Sequence, residues 1–502
     1  MHPNSIFQEH IFHENIIFLL QNVIKCDNIY TEKVGIIMDI SERRRALITQ
    51  LAAARMEKGM TQAQLARAIG TQRSNICRLE SGLQNLTLDM FFKIADALGK
   101  EPSILLSDRE ERMESIYLLK IFDTPLIRFG LTDGGLEGLR ARVIDVYEDH
   151  KHLFPLNLTL NDDGILRWLE SRVIPKNRRY VEEILAAFGL SLNDTKGIID
   201  VCKGLSLNDC YWVVAEDFDG TFAQYNLYEN RFSEILSLVA YTGAEQSHGG
   251  FTTSPELTTG GMLPKAWRYL EGDGIYLYKG GNTILTHGNK EPYSEYYASQ
   301  IAETMGLNAV HYDLEHWKGI LASKCRLFCD LDTAYVPIGH ILPKCTLKDC
   351  IVYYDSLGAD FGEQIRSMLV FDALVYNEDR HFGNFGVLRD NHTGKILAPA
   401  PIFDNGLALF SQASPDKYHD LETYAKTLTT PYRGLTFDKI VAEVIGKTQV
   451  AQLRRMIGFT FTRHPSINLP EEHLRAMEKF VQKRAAYLMA MARTRDKTKD
   501  ET

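Results

Sequence analysis

Two short motifs in the last third of the chain constrain its fold more than any other feature. The first, YNEDRHFGNFGVL, follows the apolar stretch MLVFDALV and places Asp379 five residues before Asn384. The second, APIFDNGLAL, places Asp404 twenty residues after Asn384, at the end of a short apolar segment. This spacing is that of a base for a hydroxyl group followed by two oxygen ligands for Mg²⁺. The motifs therefore predict a phosphotransferase fold, because a random loop would rarely hold all three residues.

The preceding segment offers the remaining parts that phosphoryl transfer needs. The strand-like stretch GIYLYKGG ends near Lys279, which we expect on the nucleotide phosphates, and Glu295 lies in the first turn of a following helix. Glu295 is either the ion-pair partner of Lys279 or a simple capping acid. A Gly-Gly turn precedes the strand, and its predicted phosphate-binding residues are Thr258, Thr259, Gly260, Gly261 and Lys265. Glycines let backbone N–H groups approach phosphate oxygens closely, although most Gly-Gly turns are structural.

Residues 250–410 resemble the HipA-like serine/threonine toxin kinases, whose motif N-x-D-R-H-x-x-N appears here as Asn377 to Asn384. The resemblance implies an α+β, bilobal protein-kinase-like fold that uses ATP and Mg²⁺. It implies Asp379 as catalytic base, Asn384 and Asp404 as metal ligands, and Lys279 as the ATP lysine. In that family the glycine loop often carries a serine that autophosphorylates. Thr258 occupies that position here, so it is the autophosphorylation candidate.

Residues 43–107 form a basic, helical segment with ten Lys/Arg and five Asp/Glu, in a chain of net charge -9. Thr61 and Gln64 have the spacing of a capping box, and MTQAQLARAIGTQRSNICRLESG resembles the Cro/repressor-type (XRE) helix-turn-helix family. The local excess of positive charge suits a phosphate-binding surface, and a helical bundle that binds protein is the alternative. The predicted DNA contacts are Gln62, Gln72, Arg73, Ser74, Asn75 and Arg78. Such domains read half-sites as dimers, which implies a homodimer.

These motifs give a multidomain chain, with an all-α helix-turn-helix domain before the kinase-like part. Residues 1–40 are an unassigned extension, and Met38 is a candidate start. The predicted domains are 43–107, an α+β middle region at 108–250, an N-lobe-like part at 251–345 and a mostly helical C-lobe-like part at 346–495.

The composition argues against several other classes of protein. No stretch reaches the ~20 apolar residues that span a bilayer, and the short run at 16–20 lacks the flanks of a secretory signal, so we expect a cytoplasmic protein. The cysteines lack the regular spacing of a zinc site. The family resemblance suggests a toxin–antitoxin type kinase whose protein substrate is an aminoacyl-tRNA synthetase. Two alternatives remain open, a repressor with a non-catalytic kinase fold and a phosphotransferase acting on a lipid or small molecule.

Overall fold

The computed structural model describes residues 40–81, 86–100, 114–133, 138–243, 254–282 and 289–500. They divide into two compact units, with the change of unit near residue 110. The N-terminal extension predicted at 1–40 lies outside the described residues, apart from Ile40.

The described residues of the first unit form a bundle of four helices. They are α1 (Ile40–Glu57), α2 (Gln62–Ala68), α3 (Arg73–Glu80) and α4 (Leu88–Leu98). The predicted capping box is present, because Thr61 Oγ1 accepts from the Gln64 amide and Gln64 Oε1 accepts from the Thr61 amide. Gly70 has a φ of 72°, which permits the tight turn between α2 and α3. Its core contains Ile48, Leu65, Ala66, Ile76, Leu79, Ile94 and Leu98.

The second unit is an α+β structure with three antiparallel sheets. The first sheet has the order β3-β2-β1-β4 and contains β1 (Ser115–Ile121), β2 (Thr124–Asp133), β3 (Leu139–Val146) and β4 (Tyr211–Ala215). The second has the order β5-β6-β8-β7 and contains β5 (Lys265–Leu270), β6 (Gly274–Gly280), β7 (Tyr312–Trp317) and β8 (Ile320–Arg326). The third has the order β11-β10-β9 and contains β9 (Thr333–Pro337), β10 (Gly386–Asp390) and β11 (Ile396–Pro399).

The helices of this unit lie in three groups along the chain. Beside the first sheet are α5 (Asp162–Glu170), α6 (Val181–Ala186), α7 (Thr195–Cys202) and α8 (Phe222–Tyr225). The next helix, α9 (Glu234–Thr242), packs on β5 of the second sheet. In the chain, α10 (Glu291–Met305) lies between β6 and β7, and α11 (Ile338–Ile341), α12 (Leu347–Leu357) and α13 (Ala359–Val375) lie between β9 and β10. The C-terminal group is α14 (Leu421–Ala425), α15 (Phe437–Val444), α16 (Lys447–Arg454) and α17 (Glu471–Asp500).

Two large hydrophobic cores and two smaller clusters lie within the described residues of the second unit. One joins the first sheet to α5, α6 and α7 through residues such as Trp168, Trp212 and Leu185. The larger one surrounds α13, where Phe371 and Leu374 are fully buried between α10 and the C-terminal helices. The fold class predicted from the sequence, a helix-turn-helix domain followed by an α+β domain, is confirmed. Among the described helices, none is both long and apolar enough to cross a membrane.

Candidate functional site

The ammonium group of Lys279 lies at the centre of the candidate site. Lys279 is on β6, which continues one residue beyond it to Gly280, and its Nζ donates to Glu295 Oε1 on α10 at 3.0 Å. The same nitrogen donates to Asp404 Oδ1. The second oxygen of the fully buried Glu295 accepts from the Asn405 amide at 2.7 Å. One glutamate therefore links the lysine on the strand to the backbone beside Asp404.

The charges of this cluster shift one another's protonation. Burial alone raises the pKa of Asp404, but the adjacent ammonium groups of Lys279 and Lys265 outweigh it and hold the pKa at about 2. Burial alone lowers the pKa of Lys279, and the carboxylates of Asp404 and Glu295 raise it well above its usual value. Lys279 and Asp404 are therefore charged at neutral pH, which suits a site that binds phosphate and a cation.

The loop after α13 places Asp379 and Asn384 together. The side-chain amide of Asn384 donates to the Asp379 carbonyl at 2.9 Å, and the Asp379 amide donates to Asn377 Oδ1 at 3.1 Å. Burial and the negative charge of Asp404 raise the pKa of Asp379, so Asp404 acts on Asp379 through its charge. A carboxylate with a raised pKa accepts a proton more readily than an ordinary one. The exposed His381 holds the loop, because its Nδ1 accepts from the Gly383 amide at 3.0 Å.

Arg380 ties this loop to the segment that carries Asp404. Its guanidinium is fully buried, pairs with Asp372 on α13 at 3.0 Å and donates to Asn405 Oδ1 at 2.6 Å. It also donates to the carbonyl oxygens of Asn384 and Phe403. A buried guanidinium needs this complete set of acceptors, because an unpaired one costs several kcal/mol. One side chain therefore holds the two motifs, which are far apart in the sequence, at a fixed position relative to each other.

The glycine turn lies at the edge of the same cluster. Gly261 has a φ of 84°, and a Cβ built on it would lie 2.1 Å from Lys265 Nζ. The ammonium of Lys265 therefore lies directly under the turn. Lys265 is buried, and this burial together with the positive charge of Lys279 lowers its pKa to about 7. Among the described residues, no carboxylate forms an ion pair with Lys265, and the more distant charges of Asp404 and Glu256 only partly offset the fall in its pKa.

The two threonines of the turn have their hydroxyl groups engaged. Thr258 Oγ1 donates to the Leu205 carbonyl at 2.8 Å, and Thr259 Oγ1 donates to the Pro255 carbonyl at 2.7 Å. Thr259 Oγ1 also accepts from the indole of Trp267 at 3.0 Å. In this conformation both hydroxyl groups stabilise the turn.

The donor set fits a magnesium ion. Within the described part of the chain, Asn384 Oδ1 and the second carboxylate oxygen of Asp404 receive no hydrogen bond from protein. Both are hard oxygen donors of the kind that Mg²⁺ prefers. Asn384 and Asp404 therefore have the chemistry of metal ligands, with Asp379 beside them.

The recognition face of the helical unit divides into exposed and engaged side chains. Gln72, Arg73, Ser74 and Arg78 are exposed at or on α3. Asn75 is half-buried and donates to Thr71 Oγ1 at 3.0 Å.

Gln62 donates to Glu80 Oε2 at 2.8 Å, and Glu80 also pairs with Arg55. The exposed set is free to reach a ligand. The side chains of Gln62 and Asn75 must each break an internal hydrogen bond before they can contact a ligand.

Three residues that shape the site were not singled out from the sequence. Asp372 had a weak signal, since it is an acid inside the apolar run MLVFDALV. Arg178 and Glu256 form a fully buried ion pair beside the glycine turn. Neither has a local signal, because they are 78 positions apart.

Known proteins resemble the chain in one part by sequence and over a larger part by structure. Residues 51–105 match the family model HTH_3, described as helix-turn-helix. A crystal structure of the Helicobacter pylori proinflammatory kinase CtkA is 21% identical, covers 46% of this chain and 93% of its own, and has a TM-score of 0.37. No curated protein sequence matches the chain.

A second solved structure is the Shewanella oneidensis MR-1 toxin–antitoxin complex of HipA, HipB and operator DNA. It is 13% identical, covers 75% of this chain and 96% of its own, and has a TM-score of 0.42. HipA is the kind of protein that the sequence motifs resemble, but scores this low assign no activity. The matched family and the four observed helices agree, so residues 51–105 form a helix-turn-helix domain.

Proposed function

We propose that the chain is an ATP-dependent serine/threonine kinase of HipA-like type joined to a DNA-binding domain. One observation carries the enzymatic half. Lys279 is held between Glu295 and Asp404, and the loop of Asp379 and Asn384 is tied to the same segment through Arg380. This is the set of side chains that phosphoryl transfer requires.

The reaction is in-line transfer of the γ-phosphoryl group from ATP to a serine or threonine hydroxyl. The hydroxyl oxygen forms a bond to phosphorus while the bond to the β-γ bridging oxygen breaks, and ADP leaves. Asp379 orients the hydroxyl and receives its proton, which its raised pKa favours. Lys279 and Lys265 neutralise charge on the phosphates, since Lys265 Nζ lies under Gly261 and Lys279 is its direct partner across β5 and β6.

Asn384 and Asp404 would hold Mg²⁺, which supplies positive charge to the phosphate oxygens. The chain's own contribution is to keep these two side chains oriented. The side-chain amide nitrogen of Asn384 donates to the Asp379 carbonyl, so its Oδ1 is the atom available to a cation. Thr258 remains the candidate for autophosphorylation, and its hydroxyl must first leave the Leu205 carbonyl.

The helix-turn-helix domain supports operator binding through Arg73 and its exposed neighbours, as a homodimer. Together with the kinase half, this supports an autoregulated growth-control kinase of toxin–antitoxin type. Operator DNA and ATP are both found in the cytoplasm, so a cytoplasmic site of action is part of the proposal. An aminoacyl-tRNA synthetase as substrate rests on the family resemblance alone.

Asp404→Ala separates the kinase from a repressor with a non-catalytic kinase fold. The Asp404 carboxylate pairs with Lys279 and would bind Mg²⁺, so removing it should lower the rate of ATP turnover by about a hundredfold or more. Operator binding, measured by mobility shift on the same preparation, should stay within twofold of wild type. A wild-type protein that turns over no ATP at any Mg²⁺ concentration would support the repressor instead.

A further inference from the structure

The glycine turn is held by a side chain from a distant part of the second unit. Arg178 lies between α5 and α6 and is 2% exposed. Its Nη1 donates to the carbonyl oxygens of Glu256 at 2.6 Å and Thr259 at 3.2 Å, and its Nη2 donates to the Lys265 carbonyl at 3.0 Å. Nη2 also pairs with the Glu256 carboxylate. One guanidinium therefore contacts the backbone just before the turn, near its start and at its end.

The partner carboxylate continues this bracing into the sheet. Glu256 is fully buried, and its Oε1 accepts from the Trp267 amide on β5 at 2.8 Å. The backbone beside Arg178 adds another contact, since the Arg179 amide donates to the Met262 carbonyl at 3.1 Å. The turn is thus bound from one side by Arg178 and Arg179, and its flanks are joined through Glu256.

These contacts decide which way the turn presents its amides. A trans peptide group points its carbonyl and its N–H in opposite directions. Because the Thr259 carbonyl faces Arg178, the N–H of Gly260 faces away from Arg178. In the described residues, the Gly260 and Gly261 N–H groups have no protein acceptor. Gly260 is exposed, and a Cβ built on it would meet nothing within 4 Å.

A buried ion pair of this kind is a costly way to gain stability. Removing both charges from water costs several kcal/mol per ion, and a well-packed apolar pair often holds a fold equally well. Arg178 Nε is buried without a hydrogen-bond partner, which adds to the cost. An apolar pair could not donate the three hydrogen bonds that Arg178 gives to the carbonyl oxygens of Glu256, Thr259 and Lys265.

We propose that Arg178 is a positioning residue that holds the glycine turn at 258–265 in its phosphate-receiving conformation. The proposal rests on the nucleotide-dependent activity proposed above, and it gives the region before the predicted kinase lobes a role in supporting the nucleotide site. Arg178 touches no substrate in this role, since it acts through the backbone of the turn.

The test compares Arg178→Gln and the milder Arg178→Lys with Arg389→Gln. Arg389 is a matched control, because it is also buried and also donates to distant carbonyl oxygens, those of His152 and Phe154. It does not contact the glycine turn. Thermal unfolding identifies any variant that has lost its fold, and Arg178→Lys is then the informative one.

The first readout is hydrogen exchange of the turn in the full chain without nucleotide. We expect exchange of two protected amides, that of Thr258, which donates to the Pro255 carbonyl, and that of Trp267, which donates to Glu256 Oε1, to rise at least tenfold in Arg178→Gln, less in Arg178→Lys, and not in Arg389→Gln. Equal exchange in Arg178→Gln and Arg389→Gln would overturn the proposal.

The second readout is the dissociation constant for ATP beside that for adenosine. Arg178→Gln should weaken ATP binding about tenfold while adenosine, which lacks phosphates, binds as before. A merely structural role would weaken both ligands equally, which also overturns the proposal. If wild type binds no ATP but the exchange difference is found, the positioning role stands and the proposed kinase function fails.

Discussion

Among single residues, Lys265 gives the candidate site a pH dependence. Burial and the charge of Lys279 lower its pKa to about 7, and phosphate beside it favours the charged form. ATP affinity should therefore fall as pH rises from about 7 to 9, by up to about tenfold per unit. In the same window the unfolded chain binds more protons at this residue than the folded chain does, so its contribution to stability rises with pH.

The measurement is the dissociation constant for ATP from pH 6 to 9 in wild type and in Lys265→Arg. Arginine keeps its charge throughout this range, so the ratio of the two constants cancels the titration of ATP itself. We expect wild type to lose affinity relative to the variant above pH 7. If the dissociation constants of wild type and Lys265→Arg change with pH in parallel, the protonation of Lys265 does not affect ATP binding.

At this scale the sequence indicated the residues whose spacing is local and missed those that meet only in the fold. Asp379 and Asn384 are five positions apart, so their shared loop is visible in the printed sequence. The contact of Glu295 with the Asn405 amide spans 110 positions, and that of Arg178 with Glu256 spans 78. No local pattern reports such contacts, because they depend on how the sheets and helices pack.

Among the elements, α3 is the one whose role is most directly testable. Arg73 is exposed in its first turn, whereas Asn75 is occupied by Thr71. Arg73→Ala should weaken operator binding by roughly 1–3 kcal/mol if Arg73 pairs with a guanine edge. Arg67→Ala on α2, also an exposed arginine, is the matched control for the loss of one positive charge.

Mobility-shift titrations with promoter DNA and with unrelated DNA distinguish the two variants. Arg73→Ala should reduce the preference for promoter DNA, and Arg67→Ala should weaken both DNAs to a similar, smaller extent. If Arg73→Ala leaves promoter binding unchanged, Arg73 is not part of the recognition surface.

The elements show where local periodicity was sufficient and where tertiary contacts overrode it. The stretch IYLLKIF, residues 116–122, is rich in the apolar and aromatic residues typical of strands, and it lies in β1 as far as Ile121. In contrast, the stretch NRRYVEEILAAFGL has the apolar spacing of one amphipathic helix, but only Val181–Ala186 is helical. The contacts of Arg178 with the glycine turn hold the preceding residues in a turn, and Tyr180 has a φ of 59°. Helix propensity cannot compete with this buried pairing.

For the molecule as a whole, the division into two units makes its two proposed activities separable. The helix-turn-helix core contains only residues before position 100, whereas the lysine cluster, formed by Lys279, Glu295 and Asp404, lies in the second unit. Their fusion on one chain fixes a one-to-one ratio of DNA-binding domain to candidate kinase. Substitutions in the lysine cluster should therefore change phosphoryl transfer and leave DNA binding intact.

The most direct test of the central claim is transfer of labelled γ-phosphate by the full-length chain with Mg²⁺. Wild type, Asp379→Asn and Glu378→Gln are compared, because Glu378 is a neighbouring carboxylate that accepts from the Thr429 amide instead. We predict that wild type and Glu378→Gln incorporate phosphate on serine or threonine, and that Asp379→Asn loses at least about a hundredfold in rate. Equal incorporation by Asp379→Asn and wild type, or none by wild type, would contradict the account.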